Sequence, residues 1–315
     1  MKRCILRKYA ALLALTLSAV WFMPIACTKS SSEGDSPDEP VTGVITMTTQ
    51  ASEMFFYIET GLENDNILID WGDGEGSKTY KTSCESLYCY LNVSQSYSGD
   101  SEHHITIKGE NIEFLYCGGH NLIERNQITA LDVSGCTTLK KLDCSFNQLS
   151  VLDVSRNTEL ETLNCNSNLL TNLDVSRNTA LKELYCWSNQ LTTLDVNTAL
   201  EDLTCSYNQL TDLDVSKCIR LGYLSCGNNQ ITTLDMSSNT WLTHLYVPYN
   251  QLTASALNDL FQTLRVSPGS QLKYNPHPDP WFWLNIDENP GTNDCDFYIA
   301  WEKGWWVYPH FNIGD

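Results

Sequence analysis

The feature that most constrains this chain is a period. Asparagines recur at Asn126, Asn147, Asn168, Asn189, Asn208, Asn229 and Asn250, spaced 21, 21, 21, 19, 21 and 21 residues apart. Around them runs one pattern, Leu139-x-x-Leu142-x-Cys144-x-x-Asn147-x-Leu149-x-x-Leu152-Asp153-Val154-Ser155, and it returns from Leu160, Leu181, Leu200, Leu221 and Leu242. The one short interval comes from a two-residue deletion near Asn197. A unit this short cannot bury its apolar side alone, and stacked copies can. Leu142 and Cys144 are two apart, so on a strand both point to the same interior face. The expected fold is mainly β, a solenoid of parallel strands. About six or seven turns, stacked about 4.8 Å apart, would span roughly 30 Å.

Three ladders follow from the period. Asn147, Asn168, Asn189, Asn208, Asn229 and Asn250 turn inward, where an amide can pair backbone groups that would otherwise be buried unsatisfied. Cys144, Cys165, Cys186, Cys205 and Cys226 fill an inward slot, with Cys117 before them and Val247 after. Zinc needs ligands converging on one point. A ladder spreads its thiols along a line, so these cysteines read as core. Cys136 and Cys218 occupy equivalent turn positions four repeats apart, too far to pair. Asp132, Asp153, Asp174, Asp195, Asp214 and Asp235 form an outward column. It reads either as a calcium-lined face or as acids accepting N–H bonds in the turn that follows, and the second reading is favoured. No other cofactor is indicated.

Two further regions precede the repeats. Residues 41–110 alternate as strands separated by turn residues, an antiparallel sandwich. Within them, Ile69-Asp70-Trp71-Gly72-Asp73-Gly74 resembles the Trp-Gly-Asp-Gly turn of PKD-like β-sandwich domains. Tyr97 and the His104-Ile105-Thr106-Ile107 strand fit that family, whereas Gln95 stands where it has His. Cys84 and Cys89 leave open a local disulfide or two free thiols. Residues 1–27 carry Lys2, Arg3, Arg7 and Lys8 ahead of an apolar core and end in Pro24-Ile25-Ala26-Cys27. This resembles a bacterial lipoprotein signal, which implies cleavage before a lipidated Cys27; ordinary secretory cleavage is the alternative. Residues 28–40, rich in Ser, Pro and acids, read as a flexible tether.

The repeat itself, L-x-x-L-x-L-x-x-N-x-L with Cys in the third apolar slot, resembles the leucine-rich-repeat family, in particular the short-period bacterial subclass that includes the internalins. It is most similar to lipoproteins in which a Trp-Gly-Asp-Gly domain precedes Leu-Asp-Val-Ser repeats. The implied organisation is signal peptide 1–27, tether 28–40, PKD-like sandwich 41–110, repeats 111–253 and a C-terminal helix and cap over 254–315.

The resemblance places the residues between the leucines on a concave, outward strand face. The early turns present Lys141, Asp143, Ser145, Thr162, Asn164 and Asn166. The later ones present Tyr185, Trp187, Tyr207, Tyr223, His244, Tyr246 and Tyr249, candidate hot spots for a partner. Formal net charge is −19, and −23 without residues 1–27, which argues against nucleic acid and against docking on anionic lipid through a basic patch. The six histidines have no partners at catalytic spacing. The function implied is a non-enzymatic, monomeric binding protein, outer-membrane anchored and surface-exposed, serving protein interaction or adhesion. The alternative is a glycan-binding lipoprotein, suggested by the aromatics together with Trp281, Trp283, Trp301, Trp305 and Trp306 in the cap.

Overall fold

The structure, a computed structural model, describes residues 43–85, 88–98, 101–119, 126–267 and 282–309. The expected signal, Cys27, the tether and Trp281 lie outside the described residues.

The first strands are β1 (Val44–Thr49), β2 (Glu53–Thr60), β3 (Asn66–Asp70), β4 (Ser77–Lys81), β5 (Ser83–Glu85), β6 (Tyr88–Ser96) and β7 (His103–Lys108). Their alternation buries one side: Ile45 and Met47 on β1, Met54, Phe56 and Ile58 on β2, Ile67 and Ile69 on β3, Ile105 and Ile107 on β7. Trp71, just past β3, is fully buried, packs at a tilt 5.1 Å from Phe56 and donates its indole N–H to Tyr80. Gly72 is required here, because its φ is +67° and a Cβ would strike the His104 carbonyl. Asp73 accepts the Glu75 amide and so serves the turn. Cys84 and Cys89 form a disulfide.

Two short strands then divide the chain between sheets. β8 (Ile112–Tyr116) joins β2, and β9 (Ile128–Asp132) pairs antiparallel with β1. One sheet therefore runs β4-β3-β7-β1-β9. The other begins β5-β6-β2-β8 and continues without a break into the repeats. From β8 onward every pairing is parallel, through β10 (Lys141–Asp143), β11 (Thr162–Asn164), β12 (Glu183–Tyr185), β13 (Asp202–Thr204), β14 (Tyr223–Ser225), β15 (His244–Tyr246), β16 (Trp283–Asn285) and β17 (Trp306–Tyr308). Leu142, Leu163, Leu184, Leu203, Leu224, Leu245 and Leu284 stack in register and are buried. The deletion near Asn197 leaves this register intact, because the lost residues come from the outer turn and not from the strand.

The asparagine ladder is the rivet of each turn. Asn168 accepts the Leu149 amide at 3.0 Å and donates to the Cys144 and Cys165 carbonyls at 3.0 and 3.1 Å. The same set recurs at Asn147, Asn189, Asn208, Asn229 and Asn250. The ladder also takes in both ends of the stack. Asn126 binds the amide and carbonyl of Phe55 on β2, and Asn289 binds the Leu252 amide and the Val247 carbonyl. A second ladder runs along the opposite turn. Asn157, Asn178, Asn197 and Asn239 each donate to a carbonyl of the preceding turn, and Cys136 and Cys218 stand in the same column with their thiols on backbone carbonyls.

Between Leu252 and β16 the chain makes α1 (Ala254–Thr263), capped by Thr253 and burying Leu257, Leu260 and Phe261. Gly291 lets the last turn lie against its start, since a Cβ there would collide with the backbone of Thr253 and Ala254. The short α2 (Tyr298–Glu302) leads to Trp305, fully buried with its indole N–H on the Arg265 carbonyl. Lys303 donates to the Gln262 and Leu264 carbonyls at the end of α1, where a cation meets the negative end of the helix dipole. Among the described residues, no helix is long and apolar enough to cross a membrane.

Candidate functional site: the open face of the long sheet

In each repeat strand the central leucine is buried and its two neighbours are at least partly open. Register makes those neighbours into columns. One column reads Phe114, Lys141, Thr162, Glu183, Asp202, Tyr223, His244, Trp283 and Trp306. Beside it runs Tyr116, Asp143, Asn164, Tyr185, Thr204, Ser225, Tyr246, Asn285 and Tyr308.

The predicted aromatics do not form one cluster. Tyr223, His244 and Tyr246 come together, with ring centroids 5.5 to 6.5 Å apart. Trp187 leans the other way and meets Phe146 edge-on at 6.0 Å, while its amide donates to Asn166. Tyr185 stands beside Glu183, its hydroxyl 3.4 Å from that carboxylate. Tyr207 and Tyr249 are exposed at the tips of the turns and have positive φ. Phe146, Ser167, Ser188, Asn228 and Glu288 share that left-handed backbone, so the conformation belongs to the turn itself.

Burial tunes this face. It lowers the basicity of His244 and raises the phenols of Tyr185 and Tyr246 above their ordinary value; Tyr223 is pushed up to about 12. Asp202 is the outlier. Burial first, and the nearby Glu183 carboxylate second, push it up to about 6. Its Oδ1 is buried without a hydrogen-bond partner, as is the Thr204 hydroxyl.

One aromatic group on this face escaped the sequence reading, and a second, Trp283 and Trp306, was assigned there to the cap and not to this face. At the N-terminal end, Tyr57 of β2 stacks on Tyr90 at 5.6 Å and meets Phe114 at 5.7 Å, with Phe55 against Tyr116 at 6.4 Å. The early part of the face is therefore aromatic too. A polar middle follows, where Asn164 and Ser145 both donate to Asp143. At the other end Trp283 and Trp306 lie 6.2 Å apart and carry the aromatic run past the predicted Tyr246. The signal for β8 was present, since Leu115-x-Cys117 repeats Leu142-x-Cys144, but at an interval of 27 residues.

The other ladders have their expected partners. The thiols of the cysteine ladder are buried, and burial drives their ionisation upward, Cys186 and Cys226 to about 12. In the aspartate column, Asp132, Asp153, Asp174, Asp214 and Asp235 each accept the amide two residues on at 2.8 to 2.9 Å. That bond holds Asp153 and Asp174 below the usual carboxylate range. Among the described residues, no three His, Cys, Asp or Glu side chains converge as metal ligands.

Residues 198–239 match the family described as Leucine Rich repeats (2 copies). That match falls on the turns of the solenoid that carry β13 and β14. No curated protein matches the chain. Among solved structures it is similar to the functional domain of InlJ from Listeria monocytogenes, described as including a cysteine ladder. Identity there is 31% with a TM-score of 0.42, over 62% of this chain and 49% of that one. Internalin C2 from Listeria monocytogenes is 21% identical over 48% of this chain and 78% of that chain, with a TM-score of 0.38. The leucine-rich effector YopM from Yersinia pestis is 24% identical over 37% and 39%, with a TM-score of 0.33. The chain thus spans about half the length of the InlJ domain.

Proposed function

We propose that this leucine-rich-repeat protein is a non-enzymatic, monomeric binding protein whose open sheet face takes a protein partner. One observation carries the reading. Parallel strands locked by buried leucines and two ladders hold Tyr185, Trp187, Tyr223, His244, Tyr246 and Trp283 outward on a rigid sheet. Aromatics held in place lose little entropy when they are covered, and that is what makes them hot spots. The leader sequence and tether support a lipid anchor at Cys27 and an outward-facing location in a bacterial envelope. The Trp-Gly-Asp-Gly turn supports a PKD-like identity for the N-terminal sandwich.

The test is capture of surface proteins by the purified chain, repeated with Tyr185→Ala, Trp187→Ala and Tyr246→Ala. Loss of captured partner in these variants, with the melting temperature unchanged, supports the reading. Capture indifferent to all three sinks it. Protease treatment of intact cells checks the location: clipping supports outward exposure, and protection until the outer membrane is opened refutes it. The exposed pair Trp283 and Tyr308 favours one second reading, glycan stacking at the C-terminal end. A polysaccharide array with Trp283→Ala decides it.

A further inference from the structure

Resting on that reading, a hollow at the edge of the same face identifies the chemistry of what docks there. It measures ≈ 380 Å³ and opens between Asp202 and Glu183 on one side and Tyr223 and Trp241 on the other. Its origin is a single residue. Just before each strand, successive turns carry Lys140, Glu161, Lys182, Glu201, Gly222 and Thr243, joined by backbone bonds from turn to turn. Gly222 alone lacks a side chain. Its backbone does not require glycine, because a Cβ would meet nothing nearer than the Glu201 carbonyl at 3.7 Å. The missing side chain therefore creates space and serves no fold constraint. Trp241, two-thirds exposed (67%), walls that space.

The charges around the hollow are unbalanced. Lys182 is held by Glu161 at 2.8 Å and Arg220 lies 3.7 Å from Glu201. Among the described ion pairs none reaches Glu183 or Asp202. Glu183 has the hydroxyls of Thr162 and Tyr185 at 3.3 and 3.4 Å. Asp202 has a buried oxygen with no partner. A buried carboxylate without a counter-charge is costly, and a cation that reaches it recovers that cost. The faces of Tyr223 and Trp241 attract a cation as well. A neutral sugar would satisfy the hydrogen bonds and leave the charge.

We propose that the hollow docks an arginine or lysine side chain of a protein partner, its cationic head on Asp202 and Glu183 and its stem between Tyr223 and Trp241.

Protonation gives this site a signature. Asp202 is faced by Glu183 and Tyr185 on β12, by Tyr223 on β14 and His244 beyond it, and by Lys182, Glu201 and Arg220 around the rim. With its carboxyl near 6, it is mostly ionised at pH 7.5 and mostly neutral at pH 5. A cation that needs the ionised form loses about tenfold in affinity over that interval.

The experiment is calorimetric titration of the full chain with a tri-arginine peptide. Asp202→Asn, Gly222→Leu and Trp241→Ala are compared with Glu159→Gln, the same charge change as Asp202→Asn on an exposed residue away from the hollow. We expect Asp202→Asn and Gly222→Leu each to lower affinity about tenfold, Trp241→Ala several-fold, and Glu159→Gln less than about twofold. The pH dependence should be largely lost in Asp202→Asn, leaving only what the charging of His244 beside Tyr223 contributes. Melting temperatures no lower than wild type in Asp202→Asn and Gly222→Leu exclude misfolding as the cause. The proposal is overturned if tri-arginine does not bind, or if Asp202→Asn and Gly222→Leu behave like Glu159→Gln. It is equally overturned if cellohexaose binds, is blocked by Gly222→Leu, and tri-arginine is not. Partner capture that still depends on Tyr185, Trp187 and Tyr246 would then leave the binding face standing without this pocket. Capture independent of those residues, with tri-arginine binding intact, would remove the face and leave the pocket.

Discussion

Replacing Asn168 tests whether the ladder holds the turns together by hydrogen bonding or merely fills space. Asn168→Ala removes four bonds, but the losses are unequal; the longest, to the Asn166 carbonyl at 3.3 Å, leaves that carbonyl the Phe146 amide. The Cys144 carbonyl keeps the Asn147 amide at 3.1 Å, and the Cys165 carbonyl keeps Asn189 at 3.0 Å. Only the Leu149 amide is left with nothing, in a fully buried residue. An orphaned buried donor costs about 1–3 kcal/mol, and the three weakened carbonyls add several tenths each, so about 2–4 kcal/mol is expected. Asn168→Asp keeps the acceptor for Leu149 but turns the donor edge into an oxygen facing two carbonyls. The buried charge should make it worse than alanine by at least about 1 kcal/mol at pH 7, and the gap should close on acidification as the carboxyl protonates. Urea unfolding at pH 7 and pH 5 reads both effects. If Asn168→Asp is as stable as Asn168→Ala at pH 7, the donor bonds contribute nothing and the argument fails.

The second ladder should be more tolerant. Asn157, Asn178 and Asn239 leave their Oδ1 unpartnered, and Cys136 and Cys218 already occupy that column, so Asn178→Cys should cost about 1 kcal/mol and less than Asn168→Cys by the same urea assay. Asp202→Asn should stabilise the protein at pH 7.5. The folded carboxyl, near 6, lies above the unfolded value of ~3.9. The fold therefore favours the protonated form, and that advantage is present below pH ~3.9 and lost as pH rises through 6. The residue is part-exposed, so screening reduces the gain to about 1–2 kcal/mol, and it should shrink as pH falls towards 4.5; an equal gain at both pH values would refute the assignment. Iodoacetamide labelling of the native chain, mapped by mass spectrometry, should modify half-buried Cys295 before Cys144, Cys165, Cys186, Cys205 or Cys226. Cys186→Val should cost less than about 1.5 kcal/mol by thermal melting, since Val247 fills the equivalent slot.

The solenoid was legible because its rule is local and repeated. Each Leu-x-Cys places two side chains inward, and each asparagine marks a bend whose backbone groups need a partner. The same logic explains what was missed. Asn126 and Asn289 belong to the ladder, but Asn126 pairs with β2, a strand about seventy residues earlier, and Asn289 follows the long excursion through α1. The period points to Asn126 but not to its partner on β2, and it does not reach Asn289 at all. The junction of the N-terminal sandwich with the repeats is likewise non-local. β8 pairs antiparallel with β2 on one edge and parallel with β10 on the other, and alternation cannot say which neighbour a strand will choose. On the face, the sequence supplied the outward residues of each strand but not their grouping. Grouping depends on rotamers: Trp187 turns to Phe146, while Tyr223 turns to His244 and Tyr246.

The two kinds of position in a repeat answer to different demands. An inward position must satisfy both neighbouring turns, so a change there is felt by three units of the stack. Its chemistry is correspondingly uniform: leucine, cysteine or valine, asparagine. An outward position must only be compatible with solvent and with the strand. Departures from uniformity at outward positions that the fold does not require therefore point to use. Gly222 is such a departure, since its backbone accepts a side chain and its neighbours in the column have one. Asp202 is another, because a buried, unpartnered oxygen costs stability that asparagine would recover. Both lie at one hollow beside Tyr223 and Trp241, where the aromatic run begins. A stack that could be more stable with two ordinary residues, and carries two costly ones side by side, has its binding chemistry at that point.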